Sequence, residues 1–334
     1  MKKVLFIPFI ALAIACGSKK ETQQTSVTVS VEKFDPALDA IVGNQLTVSV
    51  IASGYEWTEG PLWLEGDKKL LFSDVPTNTI YQWTEEKGAS IYLTPSGYTG
   101  EAPRGGEPGS NGLTLDDEGN LLLCQHGDRR IAMMNTSLAE PASDFTTISD
   151  TYNGKRFNSP NDLVFHNYDI YFTDPAYGLE KQMDDPKKEL PFQGVYRIPA
   201  EGQVQLMIDS LTRPNGIGFS PDGKKMYVAN SDSEKARWYE YSINDSLKIT
   251  SGKIVWDATE QAKTEKGLPD GLKVDAQGNI FATGPGGIWI FSGDGKLLGK
   301  IKLEEATSNC ALTADGKTLF VTNDMLVLKI KLRD

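Results

Sequence analysis

Six short segments of the chain begin with a residue that carries a coordinating side-chain oxygen or amide, followed by a short apolar run. Successive leading residues are separated by 52, 50, 54, 55 and 39 positions. Such regular recurrence predicts that the leading side chains occupy equivalent places in a repeated structure and can meet at a common axis. The six segments are Glu59–Trp63, Asn111–Leu115, Asn161–Phe165, Asn215–Phe219, Asp270–Val274 and Asn309–Thr313.

Four of these leading residues are hard oxygen donors that suit a divalent cation: Glu59, Asn161, Asn215 and Asp270. Two carboxylates and two amide carbonyls favour Ca²⁺, which accepts six to eight oxygen ligands; Zn²⁺, Mn²⁺ and Mg²⁺ remain alternatives. A bound cation with an open position can polarise a carbonyl group and activate water. The competing interpretation is that Asn or Asp before Gly only forms turns at strand starts. Six occurrences in phase favour the metal site.

The elements that must position these side chains are short β-strands. Each leading residue is followed by an apolar strand, a Gly-containing turn such as Asp116–Asn120 or Asp275–Asn279, and a second strand. No segment has a sustained helical period. A repeat of about 40–50 residues with several strands predicts an all-β, six-bladed β-propeller. We expect a strand at 45–51 to pair with 326–330 and close the ring, because closure removes exposed sheet edges.

The N-terminus has the pattern of an export signal. A basic start and twelve apolar residues, Val4–Ala15, precede Cys16. The apolar run is too short to span a bilayer, and small residues before Cys16 are typical of a bacterial lipobox. These features predict a signal peptide at 1–15, a lipid-anchored flexible tether at 16–44, and one propeller domain at 45–334. The alternative is an ordinary secretory signal.

Other features narrow the classes of function. The net charge of −11 provides no basic surface for nucleic acid. No nucleophile elbow, phosphate loop or dinucleotide fingerprint occurs. Cys124 and Cys310 are interpreted as small buried apolar residues. The long polar stretch 179–193 predicts a flap over one mouth of the channel.

Several of these segments resemble one known family. Glu59–Trp63 with Leu71–Asp74, Cys124–Arg130, Asn158–Asp162 with Tyr171–Gly178, Arg213–Gly216, Pro269–Gly271 and Thr283–Gly287 are similar to motifs of the SMP-30/gluconolactonase/luciferin-regenerating family, gluconolactonase branch. The resemblance implies a six-bladed propeller that hydrolyses sugar lactones or related esters with one divalent metal. It implies that Glu59, Asn215 and Asp270 are metal ligands. Asn161 matches a position that coordinates or faces the metal and binds substrate.

The resulting hypothesis is metal-dependent hydrolysis of a small sugar lactone by a monomeric exported lipoprotein of the periplasm or outer membrane. Asp270 is the expected general base, and the expected substrate-binding residues are Asn161, His126, Arg129, Asn111 and Tyr177. Asp162 is expected to be either a carboxylate behind the metal ligands or a turn residue. Two alternatives stay open: an aryl-esterase or phosphotriesterase-like hydrolase on the same metal, and a non-catalytic propeller that calcium stabilises for binding.

Overall fold

Antiparallel strands make up nearly all of the regular structure. The computed structural model describes residues 27–43 and 46–334. Three short 3-10 helices lie at Pro36–Ala40, Gln182–Asp184 and Gln261–Lys263. The strands, in chain order, are β1 (Ser30–Lys33), β2 (Thr47–Ser53), β3 (Thr58–Leu64), β4 (Lys69–Asp74), β5 (Thr79–Thr84), β6 (Gly88–Leu93), β7 (Ser110–Leu115), β8 (Leu121–Gln125), β9 (Arg130–Met134), β10 (Phe145–Ser149), β11 (Thr151–Tyr152), β12 (Lys155–Arg156), β13 (Leu163–His166), β14 (Asp169–Asp174), β15 (Gly194–Ile198), β16 (Gln205–Ile208), β17 (Pro214–Phe219), β18 (Lys225–Asp232), β19 (Lys235–Ile243), β20 (Ile249–Asp257), β21 (Leu272–Val274), β22 (Ile280–Gly284), β23 (Gly287–Phe291), β24 (Leu297–Lys302), β25 (Thr307–Leu312), β26 (Thr318–Asn323) and β27 (Leu326–Lys331).

These strands form six antiparallel sheets arranged as the blades of a ring. The blades are β3–β6, β7–β10, β13–β16, β17–β20, β21–β24 and β25–β27 with β2, and a small hairpin, β11–β12, lies between the second and third. The first strands of the blades contact one another in sequence around the ring, and β25 contacts β3. The structure is therefore the six-bladed β-propeller that the repeat predicts.

Turn chemistry explains why the first two strands of a blade form a hairpin. In the second blade, Asp116 Oδ1 accepts hydrogen bonds from the backbone N–H groups of Glu118 and Asn120, at 3.0 and 2.8 Å. Asp275 makes the same pair of contacts with Gln277 and Asn279, at 2.9 and 2.8 Å. The aspartate side chain thus replaces backbone partners inside the turn and brings the next strand back along the first.

The two ends of the propeller chain meet in the sixth blade. Strand β2 pairs antiparallel with β27, with Thr47 opposite Lys331 and Val50 opposite Leu328. The outermost strand of this blade therefore comes from the N-terminal side of the first blade, and the other three come from the C-terminus.

A strap that the sequence did not predict precedes this closing strand. β1 adds to the outer edge of the fifth blade, with Ser30 opposite Lys302 and Lys33 opposite Gly299. The following 3-10 helix places Leu38 in an apolar cluster shared with both the fifth and sixth blades. The predicted tether spans 16–44, but 27–43 lie against the propeller because their apolar residues have partners there. Residues 1–15 and the predicted lipidation site Cys16 lie outside the described residues.

Two further observations concern burial. Cys124 and Cys310 are both buried and unpaired, in keeping with their interpretation as small apolar residues. No helix within residues 27–43 and 46–334 is long and apolar enough to cross a membrane.

The strap should contribute to the stability of the propeller. Leu38 is 2% exposed and Val31, on the same strap, is 39% exposed. Replacement of a buried Leu by Ala typically costs about 2–5 kcal/mol, whereas a change at an exposed site costs about 0.5 kcal/mol or less. We therefore expect Leu38→Ala to lower the urea midpoint of unfolding and Val31→Ala to leave it almost unchanged. Equal midpoints for both variants would show that the strap lies outside the cooperative fold.

Candidate metal and active site

Glycine follows four of the six leading residues, at positions 60, 112, 216 and 271, because neighbouring inner strands approach closely where they begin. The backbone N–H of Gly112 donates to the carbonyl of Asn161 at 2.7 Å, and that of Gly216 donates to the carbonyl of Asp270 at 3.1 Å. A Cβ atom on Gly216 would lie 2.2 Å from this same Asp270 oxygen. The Asn-Gly pairs are therefore strand contacts around the axis and not turns, which removes the competing interpretation of the repeat.

The glycine that follows Glu59 also approaches a neighbouring inner strand closely, and it orients the Glu59 carboxylate. Gly60 has φ +51°, and a Cβ atom there would lie 1.9 Å from the carbonyl oxygen of Asn111. The Gly60 N–H donates to Glu59 Oε2 at 3.1 Å. A left-handed glycine thus bends the start of β3 and fixes one oxygen of the Glu59 carboxylate.

A cavity of about 460 Å³ lies where these strand starts meet. Six of the residues predicted from the sequence line it: Glu59, Asn111, Asn161, Tyr177, Asn215 and Asp270. They come from five different blades, so the ring brings together side chains that are far apart in the chain. We call this space the axial cavity.

The axial cavity collects polar atoms that have no partner in the protein. Among the described residues, the Oδ1 atoms of Asn111, Asn161, Asn215 and Asp270 are buried and accept no hydrogen bond. Leaving a buried acceptor unsatisfied costs about 1–3 kcal/mol each. Four such oxygens in one cavity are the arrangement that a bound cation would satisfy.

The amide groups are oriented so that oxygen, and not nitrogen, is left over. Asn215 Nδ2 donates to Ser231 Oγ at 3.0 Å, and Ser231 Oγ in turn donates to the carbonyl of Pro269. Asn161 Nδ2 lies 3.5 Å from His126 Nε2. Because these partners take the amide nitrogens, the carbonyl oxygens are the atoms without a protein partner.

The electrostatics of the cavity point the same way. Burial raises the pKa of the Glu59 carboxyl, and the negative charge of Asp162 raises it further. Burial also raises the pKa of Asp270, with the neighbouring charge of Glu59 as the next cause. Carboxylates that repel one another in a site shielded from water require either protons or a cation.

The sixth leading residue, Asn309, has a different role. Its Oδ1 accepts from the backbone N–H of Cys310 at 2.9 Å and from Lys273 Nζ at 3.2 Å. Its Nδ2 donates to Asp162 Oδ2 at 3.3 Å. Asp162 Oδ1 accepts from the Leu163 N–H at 2.9 Å, and Lys273 Nζ lies 3.8 Å from Asp162 Oδ2. Asp162 and Asn309 therefore form a polar layer behind the axial cavity.

The lining of the axial cavity differs from the sequence prediction at His126 and Glu107. His126 is completely buried and does not line the axial cavity; its Nε2 lies 3.5 Å from Nδ2 of Asn161, which does. Glu107, which sequence reasoning missed, lines the cavity and places Oε2 3.2 Å from His126 Nδ1. The only signal for it was the long Gly- and Pro-rich connection from β6 to β7, which carries two glutamates, Glu101 and Glu107; the sequence does not distinguish the exposed Glu101 from the half-buried Glu107.

Arg129 and the predicted flap, 179–193, lie outside the axial cavity. Arg129 does not line the axial cavity, because its guanidinium is turned toward backbone carbonyls of Phe157, Asn158 and Lys187. No residue of the predicted flap, 179–193, lines the cavity either. That segment instead packs beside the ring through the buried side chains of Leu179 and Leu190.

The donor set fits a hard cation that accepts both carboxylate and neutral amide oxygens. Within residues 27–43 and 46–334, no group of three or more His, Cys, Asp and Glu side chains could hold a metal ion. The candidate centre depends on amide oxygens in addition to Glu59 and Asp270. Such a set matches the oxygen-rich coordination of Ca²⁺ better than the nitrogen and sulfur ligands of structural zinc.

Comparison with known proteins identifies the family. The sequence profile of the SMP-30/Gluconolactonase/LRE-like region matches residues 57–324. The chain belongs to this family. Within it, a gluconolactonase of Zymomonas mobilis subsp. mobilis is 38% identical over 319 residues, which cover 93% of this chain and 88% of the relative. The family member described here therefore falls in the gluconolactonase branch.

Solved structures of the family share the propeller. A gluconolactonase from Xanthomonas campestris is 27% identical, with a TM-score of 0.77 over 91% of this chain and 95% of the other. Regucalcin from Agrobacterium tumefaciens, described as a calcium-binding protein, has a TM-score of 0.63 at 18% identity, covering 85% of this chain and 94% of the other. The second likeness concerns the fold alone.

The raised pKa values predict how pH changes the stability of the metal-free protein. A carboxyl that holds its proton more tightly in the folded state stabilises the fold at low pH and loses this contribution as pH rises above its unfolded pKa of about 4. We expect the free energy of unfolding of metal-free protein to fall from pH 5 to pH 8. Asp270→Asn should raise it by about 1–2 kcal/mol at pH 8, because it removes one of the repelling charges.

Urea unfolding in the presence of a chelator would measure this effect. The exposed Asp117→Asn is the matched control, since it makes the same chemical change outside the cavity. A variant Asp270→Asn that is less stable than wild type at pH 8 without metal would contradict the electrostatic account.

Proposed function

We propose that this protein hydrolyses the ester bond of a small, neutral sugar lactone in the axial cavity. The observation that carries the proposal is the convergence of Glu59, Asn161, Asn215 and Asp270 on one cavity with three of their oxygens unpartnered. The similarity to a protein named gluconolactonase supports the substrate class. The enzyme is thus a lactonase of the gluconolactonase type.

Glu59, Asn161, Asn215 and Asp270 are the residues that would hold one divalent cation, with Ca²⁺ favoured by the donor set. When bound, the cation supplies a Lewis acid for the lactone carbonyl and for the negative charge that develops on its oxygen. Asn111 Oδ1 is a further unpartnered oxygen at the same cavity and is available either to the ion or to a substrate hydroxyl.

Asp270 is the general base of the proposed reaction. Its Oδ1 accepts no hydrogen bond from the described residues and faces the cavity that receives the lactone. It accepts a proton from a water molecule as the water oxygen bonds to the carbonyl carbon. The ring C–O bond then breaks, and the same proton passes to the departing ring oxygen, which leaves a hydroxy acid.

Side chains at the wall of the cavity provide the contacts for sugar hydroxyls. Glu107 presents a carboxylate, and Tyr177 presents a ring whose hydroxyl already donates to the Ser231 carbonyl at 3.2 Å. Asn161, which the sequence also assigned to substrate binding, lines the same cavity, and its Nδ2 lies 3.5 Å from His126 Nε2. Carboxylate and amide groups of this kind recognise polyols through paired hydrogen bonds.

The protein is further proposed to act outside the cytoplasm as a monomeric lipoprotein. The support is the apolar segment Val4–Ala15, which directly precedes Cys16 in the sequence. Metabolic labelling with a fatty acid, compared between wild type and Cys16→Ser, tests the anchor independently of the enzymatic activity.

The role of Asp270 has a direct test. We expect Asp270→Asn to lower kcat/KM for glucono-lactone at least about 100-fold, which is the scale of a lost general base. Proton release, corrected for spontaneous hydrolysis in the same buffer, measures the rate. Asp117→Asn is the control, and circular dichroism checks the fold. A rate like that of wild type in Asp270→Asn would remove this residue from the mechanism.

The cation has a separate test. Protein stripped with a chelator should lose activity and recover it with a divalent ion, most effectively with Ca²⁺ among Ca²⁺, Zn²⁺, Mn²⁺ and Mg²⁺. Asn215→Ala should weaken Ca²⁺ binding in calorimetry at least about 10-fold, because it removes one oxygen ligand. Full activity after complete removal of metal would contradict the proposal.

Substrate panels separate this function from the alternatives. We expect small lactones to be better substrates than phenyl acetate or an aryl phosphotriester under the same conditions. A large thermal shift with Ca²⁺ but no turnover of any lactone or ester would instead indicate a non-catalytic, calcium-stabilised binding protein.

A further inference from the structure

A second cavity lies apart from the axial cavity and has the opposite charge character. Its volume is about 400 Å³, and it has no lining residue in common with the axial cavity. Four basic side chains line it against two acidic ones, in a chain whose net charge is −11. We call it the arginine pocket. Its charged lining residues are Arg129, Arg130, Arg156, Lys187, Asp128 and Asp150.

Arg129 is a buried cation whose protein contacts are backbone carbonyls. Only 8% of the Arg129 surface is exposed. Nε donates to the carbonyl oxygens of Phe157 and Asn158 at 2.8 and 3.1 Å, and Nη1 donates to that of Lys187 at 2.9 Å. Nη2 is buried and donates to no acceptor among the described residues. A buried guanidinium with a free donor and no carboxylate in direct contact is costly unless an anion completes it.

Arg156 repeats this pattern on the other side of the pocket. Its Nη2 donates to the backbone carbonyl of Asp128, and its Nε is buried without an acceptor. In the part of the chain that the structure describes, neither Arg129 nor Arg156 belongs to an ion pair, whereas Arg130 pairs with Asp128 at 3.0 Å. Two of the four cations therefore have no counter-charge in contact.

The pairing of the other charges leaves the pocket positive. The Asp128 carboxylate is also used by the Thr99 backbone N–H and hydroxyl. Lys187 Nζ is well exposed and lies 3.6 Å from Glu180. Asp150 is the remaining carboxylate at the wall. The negative charges of Asp174, Glu189 and Asp185 also act on Arg129, but none of these residues lines the pocket.

We propose that the arginine pocket binds the phosphate group of a small molecule, with Arg129 and Arg156 as the principal contacts. A planar guanidinium group can donate two directed hydrogen bonds to the oxygens of one phosphate. Nη2 of Arg129 and Nε of Arg156 are the donors that have no acceptor among the described residues. A volume of about 400 Å³ accommodates a metabolite of sugar-phosphate size. This site is separate from lactone hydrolysis and does not depend on it.

Calorimetry with inorganic phosphate tests the pocket in protein that has been stripped of metal, so that phosphate cannot bind through a cation. We expect saturable binding of one phosphate per chain at constant ionic strength. Arg156→Gln should weaken it at least about 10-fold, since a charge-assisted contact contributes roughly 1.5–3 kcal/mol. Arg237→Gln is the matched control, because Arg237 is paired with Asp257 on another blade.

Arg129→Met is a second variant that removes a principal phosphate contact. Lys187→Gln should weaken phosphate binding less, because it leaves the buried contacts of both arginines in place. Binding that is equal in wild type and Arg156→Gln would overturn the proposal. So would the lack of saturation up to about 10 mM phosphate, a range that covers millimolar dissociation constants.

A second set of binding measurements shows whether the phosphate group belongs to a soluble small molecule or to a lipid. We expect glucose 6-phosphate and glycerol 3-phosphate to bind in competition with inorganic phosphate, and vesicles of phosphatidylglycerol to bind no better than vesicles of phosphatidylcholine. Arg156-dependent binding to phosphatidylglycerol vesicles, without binding of the soluble phosphates, would overturn the small-molecule assignment. Each of these results is independent of lactonase activity in untreated protein.

Discussion

The close approach of the inner strands around the axis is the constraint on which the rest of the structure depends. Where these strands begin, glycine N–H groups donate to the carbonyl of the neighbouring leading residue, as Gly112 does to Asn161 and Gly216 does to Asp270. No side chain larger than hydrogen fits at these contacts. The backbone is thus fixed within a hydrogen-bond length, and the adjacent Asn, Asp and Glu side chains extend into one small space. Their burial leaves oxygens without protein partners, and this cost is the physical basis of the candidate metal centre.

Much of this architecture could be predicted from the sequence, because the repeat carries both the fold and the site. The interval near 50 residues predicts the six blades, and the leading residues predict Glu59, Asn111, Asn161, Asn215 and Asp270 at one cavity. The sequence could not separate Asn309 from the others. Its amide has the same position in the repeat, yet its oxygen accepts from Lys273 Nζ on another blade and from the adjacent Cys310 N–H, so that it is satisfied.

Predictions failed where contacts depend on connections between repeats. The sequence predicts that residues 27–43 belong to a flexible tether. In the structure, Leu38, Ile41 and Val42 instead pack in an apolar cluster with residues of two blades that are distant in sequence. Glu107 lies at the end of a connection that no repeat describes. Arg129 was a candidate for substrate binding because Ser159 stands where some members of the family have a substrate-binding arginine. Its backbone has φ 56°, and its guanidinium donates to the carbonyls of Phe157, Asn158 and Lys187 instead of lining the axial cavity.

The two cavities give the protein two regions of opposite charge. The axial cavity concentrates carboxylates and amide oxygens, whereas the arginine pocket concentrates guanidinium groups between the second and third blades. A single acidic chain can therefore carry both a candidate cation site and a proposed anion site, because each depends on local burial and not on the net charge. The arginine that sequence reasoning placed at the substrate thus belongs to a distinct site.

Crystals of the protein grown with Mn²⁺, with anomalous diffraction recorded at the manganese edge, test the central claim most directly. We predict one strong anomalous peak in the axial cavity, with Glu59, Asn161, Asn215 and Asp270 oxygens at about 2.0–2.6 Å, the range for divalent ions held by oxygen ligands. An axial cavity without an ion at saturating Mn²⁺, while Asn and Asp oxygens accept hydrogen bonds from protein groups instead, would contradict the account.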